Sequence, residues 1–181
     1  MASLTAFATI AAQSDSASIN WADVGNIVSN NDARATAVLL ITENSEYLYA
    51  TGIHAATAAI ANGSTITAVT VTINGSVLVG LGETYAETVQ IVTGGTTRVG
   101  NNLAANVAFA ETADADHAYA GDWGVTFTAE MLKQSGFGCA FRATGTAADT
   151  VLVDSISFTI EWTLPTASLR TLARARNFRG R

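Results

Sequence analysis

The chain reads as an all-β protein: an antiparallel two-sheet sandwich, jelly-roll-like, with an extended N-terminal arm and a C-terminal tail. Three observations lead there. In the apolar run Val151–Trp162, Ile156, Phe158, Ile160 and Trp162 fall on one side, and Ser155, Ser157, Thr159 and Glu161 on the other. Period-two alternation of β-branched and aromatic residues marks a strand with one buried face. About eight to ten such short runs recur along the chain between Gly, Asn and Asp turn signals, the spacing of a sandwich or barrel. No stretch carries the periodicity of a long helix.

In order, residues 1–20 are rich in Ala, Ser and Thr and carry no charge but Asp15, which predicts an extended arm. The domain begins at Trp21 and runs to 163. Asn26 to Arg34 is turn-like, with Ser29, Asn30, Asn31 and Asp32 clustered. Ala35–Thr42 and Tyr47–Ile53 are strands flanking a polar turn at Glu43 to Glu46. Ala55–Ala61 is Ala-rich and too short to assign as a helix. Asn62-Gly63 marks a turn. Val69, Val71 and Ile73 alternate with threonines, Asn74-Gly75 follows, and Val77 and Val79 resume, which predicts a tight hairpin at Asn74-Gly75.

Thr84–Val92 is the next strand, with Val89 and Ile91 inward, and Gly94-Gly95 turns the chain into a short strand over Thr96–Val99. Ala104–Phe109 reads as another short strand and Glu111–Asp122 as an acidic loop. Trp123, Val125 and Phe127 alternate, and Thr128 is placed to cap one helical turn over Thr128–Gln134. Phe137–Ala143 is a strand, Thr144–Asp149 a turn, and Val151–Trp162 the last strand. Its apolar phase changes near Asp154, which predicts a bulge there or cover on both faces.

Charged residues make up only 13% of the chain, about half the usual share. A free monomer normally keeps a densely charged surface, so a chain this poor in charge is expected to bury surface against other chains. The net charge of −6 is also divided unevenly. Of nine basic residues, Arg170, Arg174, Arg176, Arg179 and Arg181 lie in the tail, 164–181, giving it a formal +5. The four others face fifteen acidic residues in 1–163, a formal −11. An acidic body with a basic tail is suited to pairing one with the other. Cys139 stands alone, so no intrachain disulfide framework is expected. The N-terminus lacks a basic n-region, and no apolar run approaches the roughly 20 residues of a membrane helix.

Few residues are arranged for chemistry. Asp114, Asp116, His117 and Asp122 are the one cluster of metal-ligand types, read as a solvated acidic loop with a Ca²⁺ site as the alternative. His54 has no acid or cysteine near it in sequence, and nothing resembles Gly-x-Ser-x-Gly. Gly94-Gly95 and Gly100 lack the lysine of a phosphate loop. Trp21, Trp123 and Trp162 are read as core, with a sugar-stacking platform as the alternative, and Cys139 as a small core residue. No enzyme activity and no cofactor are expected.

Several segments stand in a recognisable order over about 20 to 163. They are Trp21 with Asn26, the runs Tyr47-Leu48-Tyr49-Ala50-Thr51-Gly52-Ile53 and Gly63-Ser64-Thr65-Ile66-Thr67-Ala68-Val69, and Val92-Thr93-Gly94-Gly95-Thr96 with Val99-Gly100-Asn101. Asp122-Trp123-Gly124-Val125-Thr126-Phe127-Thr128, Phe137-Gly138 and Val153-Asp154-Ser155-Ile156 follow. Together they resemble a β-sandwich module of tailed-bacteriophage virion structural proteins, of fibre or capsid-surface type. The chain departs from it where Ala61-Asn62 replaces a common proline and where no tyrosine pair closes the last strand. The resemblance implies a virion part, in capsid or tail, and transfers no catalytic residues.

The tail completes the reading. Ser168 is placed to cap a short helix with Leu169, Leu172 and Ala173 on one side and arginines around the rest. Arginine pairs bidentately with carboxylates, so the expected partners are acidic surfaces on copies of this chain or on other virion proteins. Packaged nucleic acid is disfavoured because the −11 body would repel it. The expected function is a non-enzymatic virion component, a capsid decoration or cement protein that interlocks neighbours through its arms, assembled in the host cytoplasm. A tail or fibre receptor- or carbohydrate-binding module and a genome-contacting coat protein are the alternatives.

Overall fold

A computed structural model describes residues 1–14, 19–40, 42–78, 83–104, 108–109 and 113–165. The strands are Ala2–Phe7 (β1), Ile10–Ser14 (β2), Ala35–Leu39 (β3), Tyr47–Thr51 (β4), Thr65–Leu78 (β5), Thr84–Thr93 (β6), Thr97–Val99 (β7), Ala115–Tyr119 (β8), Gly138–Gly145 (β9) and Asp149–Thr163 (β10). Two single-turn helices, His54–Thr57 (α1) and Ala129–Leu132 (α2), join them. All strand pairing within the sheets is antiparallel.

The first sheet runs β1-β10-β5-β8, and β3 also pairs with β10. β1 takes residues 157–162 of β10 and β3 takes residues 149–153, so these two strands lie end to end along one edge. The second sheet runs β2-β4-β9-β6-β7. From β3 to β10 the chain wraps between the sheets in the order of a jelly roll, two interleaved Greek keys. The predicted fold class is therefore the observed one.

β10 is inward-facing as its alternation predicts: Ile156, Phe158 and Ile160 are fully buried and Trp162 is 9% exposed. They meet Val89, Ile91, Cys139 and Phe141 of the second sheet in one core. Aromatic contacts run through it, with Trp21 against Phe141 at 5.9 Å between ring centroids and Phe137 against Phe158 at 6.2 Å. The indole N–H groups stay satisfied, Trp21 Nε1 donating to the Glu46 carbonyl and Trp123 Nε1 to that of Val69, each at 2.8 Å. The predicted bulge is present: the pairing of β10 with β5 slips between Val153 and Ser155, leaving Asp154 extra. Gly94-Gly95 turns the chain with φ of 61° and 92°. Thr128 caps α2, its Oγ1 accepting from Met131 N at 3.1 Å.

Four expectations are corrected. The arm foreseen over 1–20 contains β1 and β2, which join one sheet each, with Ala8 N donating to Ile156 O and Thr9 N to Thr51 O as the chain crosses. Leu4 and Ala6 pack inward while Ser3, Thr5 and Phe7 face out, a strand pattern muted because alanine carries little hydrophobic signal. The hairpin foreseen at Asn74-Gly75 does not form, because β5 runs straight through. Residues 115–119 of the foreseen acidic loop form β8. Trp123–Phe127 keeps its alternation of burial, but no ladder forms there. Of the strand foreseen over Ala104–Phe109, residues 105–107 lie outside the described residues.

Gly75 serves close packing rather than a turn. A Cβ there would lie 2.5 Å from the Leu152 carbonyl oxygen and 3.4 Å from the Phe109 ring. Gly75→Ala is expected to lower stability by about 1–3 kcal/mol, the usual cost of overpacking, measured by urea denaturation. Unchanged stability would show that the backbone opposite Gly75 yields freely.

Candidate functional site

The outer face of the first sheet is built from the residues between the core positions. Register places them in ranks: Ser3, Glu161 and Ala68; Thr5, Thr159 and Thr70; Phe7, Ser157, Thr72 and Ala118. Thr5 Oγ1 and Thr159 Oγ1 share a hydrogen bond of 3.1 Å across β1 and β10. Beyond the bulge follow Thr36, Leu152 and Ser76, then Val38, Thr150 and Leu78. Phe7 is 42% exposed, Val38 59%, and Leu40 and Leu78 each 53%. One end is thus a hydroxyl array and the other an aliphatic patch.

A polar strap divides the two. Arg34 precedes β3 and Asp114 precedes β8, strands separated in the sheet by β10 and β5. Arg34 Nε and Nη2 donate to Asp114 Oδ2 at 2.9 and 2.7 Å, and Ser76 Oγ of β5 donates to Asp114 Oδ1 at 2.6 Å. The pair therefore closes over the outer face. Burial pushes the Asp114 carboxyl up, but the hydrogen bonds from Arg34 and Ser76 outweigh it and hold it below the ordinary range. Those contacts hold the Arg34 guanidinium above its usual value. Asp154, 1% exposed at the bulge, behaves in the opposite way. Burial raises it, the backbone N–H of Asn31 at 3.3 Å offsets part of that, and the negative charge of Asp114 adds to the rise.

Along β1, β3, β5, β8 and β10, the outward ionisable residues are Glu161 and the exposed Asp116, besides the bulge carboxylate Asp154. The second sheet's outer face is different. There Arg142 donates to both Glu87 oxygens, at 2.7 and 2.9 Å. The Arg142 hydrogen bonds lower the Glu87 pKa despite partial burial. Arg98 and Arg142 stack over Tyr47, with their guanidinium carbons 3.8 and 4.7 Å from its ring centroid. Both outer faces therefore carry charge, mostly acidic on the first sheet and an Arg–Glu–Tyr cluster on the second.

The side chains suspected of chemistry are dispersed. Asp114 is in the strap, Asp116 accepts from Asn74 Nδ2 at 2.7 Å, and Asp122 caps the turn at Gly124 N at 2.8 Å. The acidic stretch is therefore not simply a solvated loop, and among the described residues no group of three metal-ligating side chains gathers. His117 stacks on Phe109 at 4.4 Å, and burial lowers its pKa. His54 opens α1, half-buried. Cys139 is fully buried and its thiol is pushed up to about 12. Trp21, Trp123 and Trp162 are all core residues, 2–9% exposed, and offer no stacking platform. Leu169, Leu172 and the five tail arginines lie outside the described residues. Among the described residues no helix is long and apolar enough to cross a membrane.

Sequence reasoning missed this face, because its ranks of hydroxyl and aliphatic side chains come from outward positions of strands far apart in sequence. A second feature is an open groove of about 430 Å³ between Thr65–Val69 of β5 and Gly121–Phe127, lined also by Ser64. The Ser64 hydroxyl is buried there without a hydrogen-bond partner.

The strap makes a signed prediction. A raised folded-state pKa means that the charged form of Asp154 weakens the fold above that pKa, and the penalty fades as pH falls through it. Asp114, with its lowered pKa, stabilises above the unfolded value of about 3.9 and loses that contribution as pH falls through its folded value. Asp154→Asn, which keeps the acceptor for Asn31, is expected to raise the melting temperature at pH 7, with the gain shrinking as the medium is acidified. Arg34→Met is expected to cost about 2 kcal/mol at pH 7, the scale of hydrogen bonds to charged groups, and less at low pH. Denaturation of both variants across pH 3–8 checks the two signs.

Comparison with known proteins gave no matching family model, no matching curated protein and no matching solved structure.

Proposed function

We propose that this chain is a non-enzymatic structural component of a bacteriophage virion, a capsid decoration or cement protein or another repeated surface part. The observation that carries the reading is the outer face of the first sheet, broad, a hydroxyl array at one end and an exposed aliphatic patch at the other. Exposed apolar surface of that kind marks a contact with another macromolecule. The resemblance of the segments between Trp21 and Ile156 to a phage sandwich module supplies the setting. The partners are copies of the chain and other virion proteins. The tail arginines Arg170, Arg174, Arg176, Arg179 and Arg181, with Leu169 and Leu172, add a second attachment to acidic neighbours, so release requires both contacts to fail together.

A receptor- or carbohydrate-binding module of a tail or fibre is the second reading, favoured by the groove beside β5 with its buried Ser64 hydroxyl and the Asp122 rim. A glycan array separates the two: binding abolished by Asp122→Ala with folding intact selects the second. The genome-contacting alternative is weaker, since the body carries a formal −11.

Deleting Ser168–Arg181 tests the favoured reading. Incorporation of the truncated chain into particles is expected to fall at least tenfold, or the particles to come apart at lower temperature. Full incorporation with unchanged particle stability would remove the tail from the mechanism. Absence of the intact chain from purified particles would remove the virion reading itself.

A further inference from the structure

We infer that in the free chain the groove beside β5 holds the chain's own C-terminal segment, with residues 169–173 extended along the strand's open edge. β8 pairs with β5 from Val71 to Gly75, and Thr65 bridges Thr128. Between those points, residues 66–70 have no described strand beside them on the side away from β10. The groove lies in that gap, between β5 and the segment that follows β8. The Trp123 indole takes the Val69 carbonyl, and a slip in register between Glu161 and Trp162 leaves Thr67 opposite no residue of β10. Unpaired edge groups are a template for a further strand. Ser64, 8% exposed, lines the groove with its hydroxyl unpartnered. Buried polar groups nearly always have a hydrogen-bond partner, and the backbone of an incoming strand supplies one.

Position and charge select the occupant. The last described residue, Pro165, has its Cγ 3.7 Å from where a Cβ on Gly63 would stand, and Gly63 directly precedes Ser64. Passing from β10 to the far side of β5 is two strand spacings, about 10 Å, or about three extended residues. Residues 166–168 cover that distance, so 169–173 arrive beside 66–70. Strand alternation then places Arg170 and Arg174 on one side, and Leu169, Thr171 and Ala173 on the other. On the outer side the arginines meet the exposed Asp122, among the described residues the one ionisable side chain in the lining. They also reach over the small Ala68 to Glu161, which stands opposite it on β10. Lys133, beside the mouth, is engaged by Asn62 Oδ1 at 2.5 Å. Leu169 covers Ile66 and Phe127, partly buried apolar residues of the lining. A tethered segment is present at an effective concentration of about millimolar, which a separate partner must match from solution. This extended course replaces the short helix that Ser168 is placed to cap. The latch stands without the assembly reading. Its consequence rests on that reading: a neighbour must draw the tail out before the arginines can hold it.

Amide hydrogen exchange of the full chain tests this. Arg170→Glu combined with Arg174→Glu is expected to speed exchange of at least one amide among residues 66–70 by tenfold or more, with the β9 amides unchanged. Arg179→Glu combined with Arg181→Glu makes the same change of charge beyond the groove's reach, and is expected to leave exchange at 66–70 as in the parent. Dilution by about a hundredfold is expected to change nothing, because the contact lies within one chain. Equal exchange in the parent and the first double variant would overturn the latch, as would equal effects of the two double variants. Protection lost on dilution would overturn it in favour of a neighbouring copy's tail. Protection that passes these tests in a chain absent from purified particles would leave the latch and remove the virion reading alone.

Discussion

The pairing of β10 with β5 is the constraint on which the rest depends. It runs from Thr163 opposite Thr65 to Thr150 opposite Leu78, and β1, β3 and β8 reach the sheet only through one of these two strands. Removing either would leave β8, or both β1 and β3, without a hydrogen-bonded neighbour. Because both are long, one slip of register would carry a whole face from core to solvent. The bulge at Asp154 and the close approach at Gly75 fix that register at one place, where an added Cβ would strike the Leu152 carbonyl.

The same place gathers several of the outer face's charges. Arg34, Asp114, Ser76 and Asp154 converge where the ladder is broken. A bulge leaves backbone groups unpaired, and the Asp154 carboxylate takes up the N–H of Asn31 from the loop before β3. The strap then holds the two sides of the sheet across its middle. What remains outward on the sheet is mostly hydroxyl and hydrocarbon, with the carboxylates Glu161 on β10 and Asp116 on β8 among them.

Much of the architecture was legible in the residues, for local reasons. The alternation of Ile156, Phe158, Ile160 and Trp162 is a one-strand property, and so is the phase change that announced the bulge. The capping by Thr128 and the turn at Gly94-Gly95 are settled within four residues. Asn74-Gly75 was misleading because a dipeptide signals a turn without knowing what packs against it, and here β10 and Phe109 leave space only for hydrogen. β1 and β2 were missed because Ala, Ser and Thr write alternation faintly. The outer face was illegible for a different reason. Thr5, Thr159 and Thr70 become one rank only after three strands are laid side by side.

β1 has a consequence for how the chain matures. Its hydroxyl Thr5 meets Thr159, 154 residues later in sequence, so this strand has no sheet partner until β10 has been made. Contacts that distant slow folding, and an unpaired leading strand is exposed meanwhile to neighbours on the same message. In Ala2–Phe7 only Leu4 and Phe7 are large apolar residues, standing among Ala, Ser and Thr, which limits how strongly that waiting segment sticks before β10 arrives to receive it.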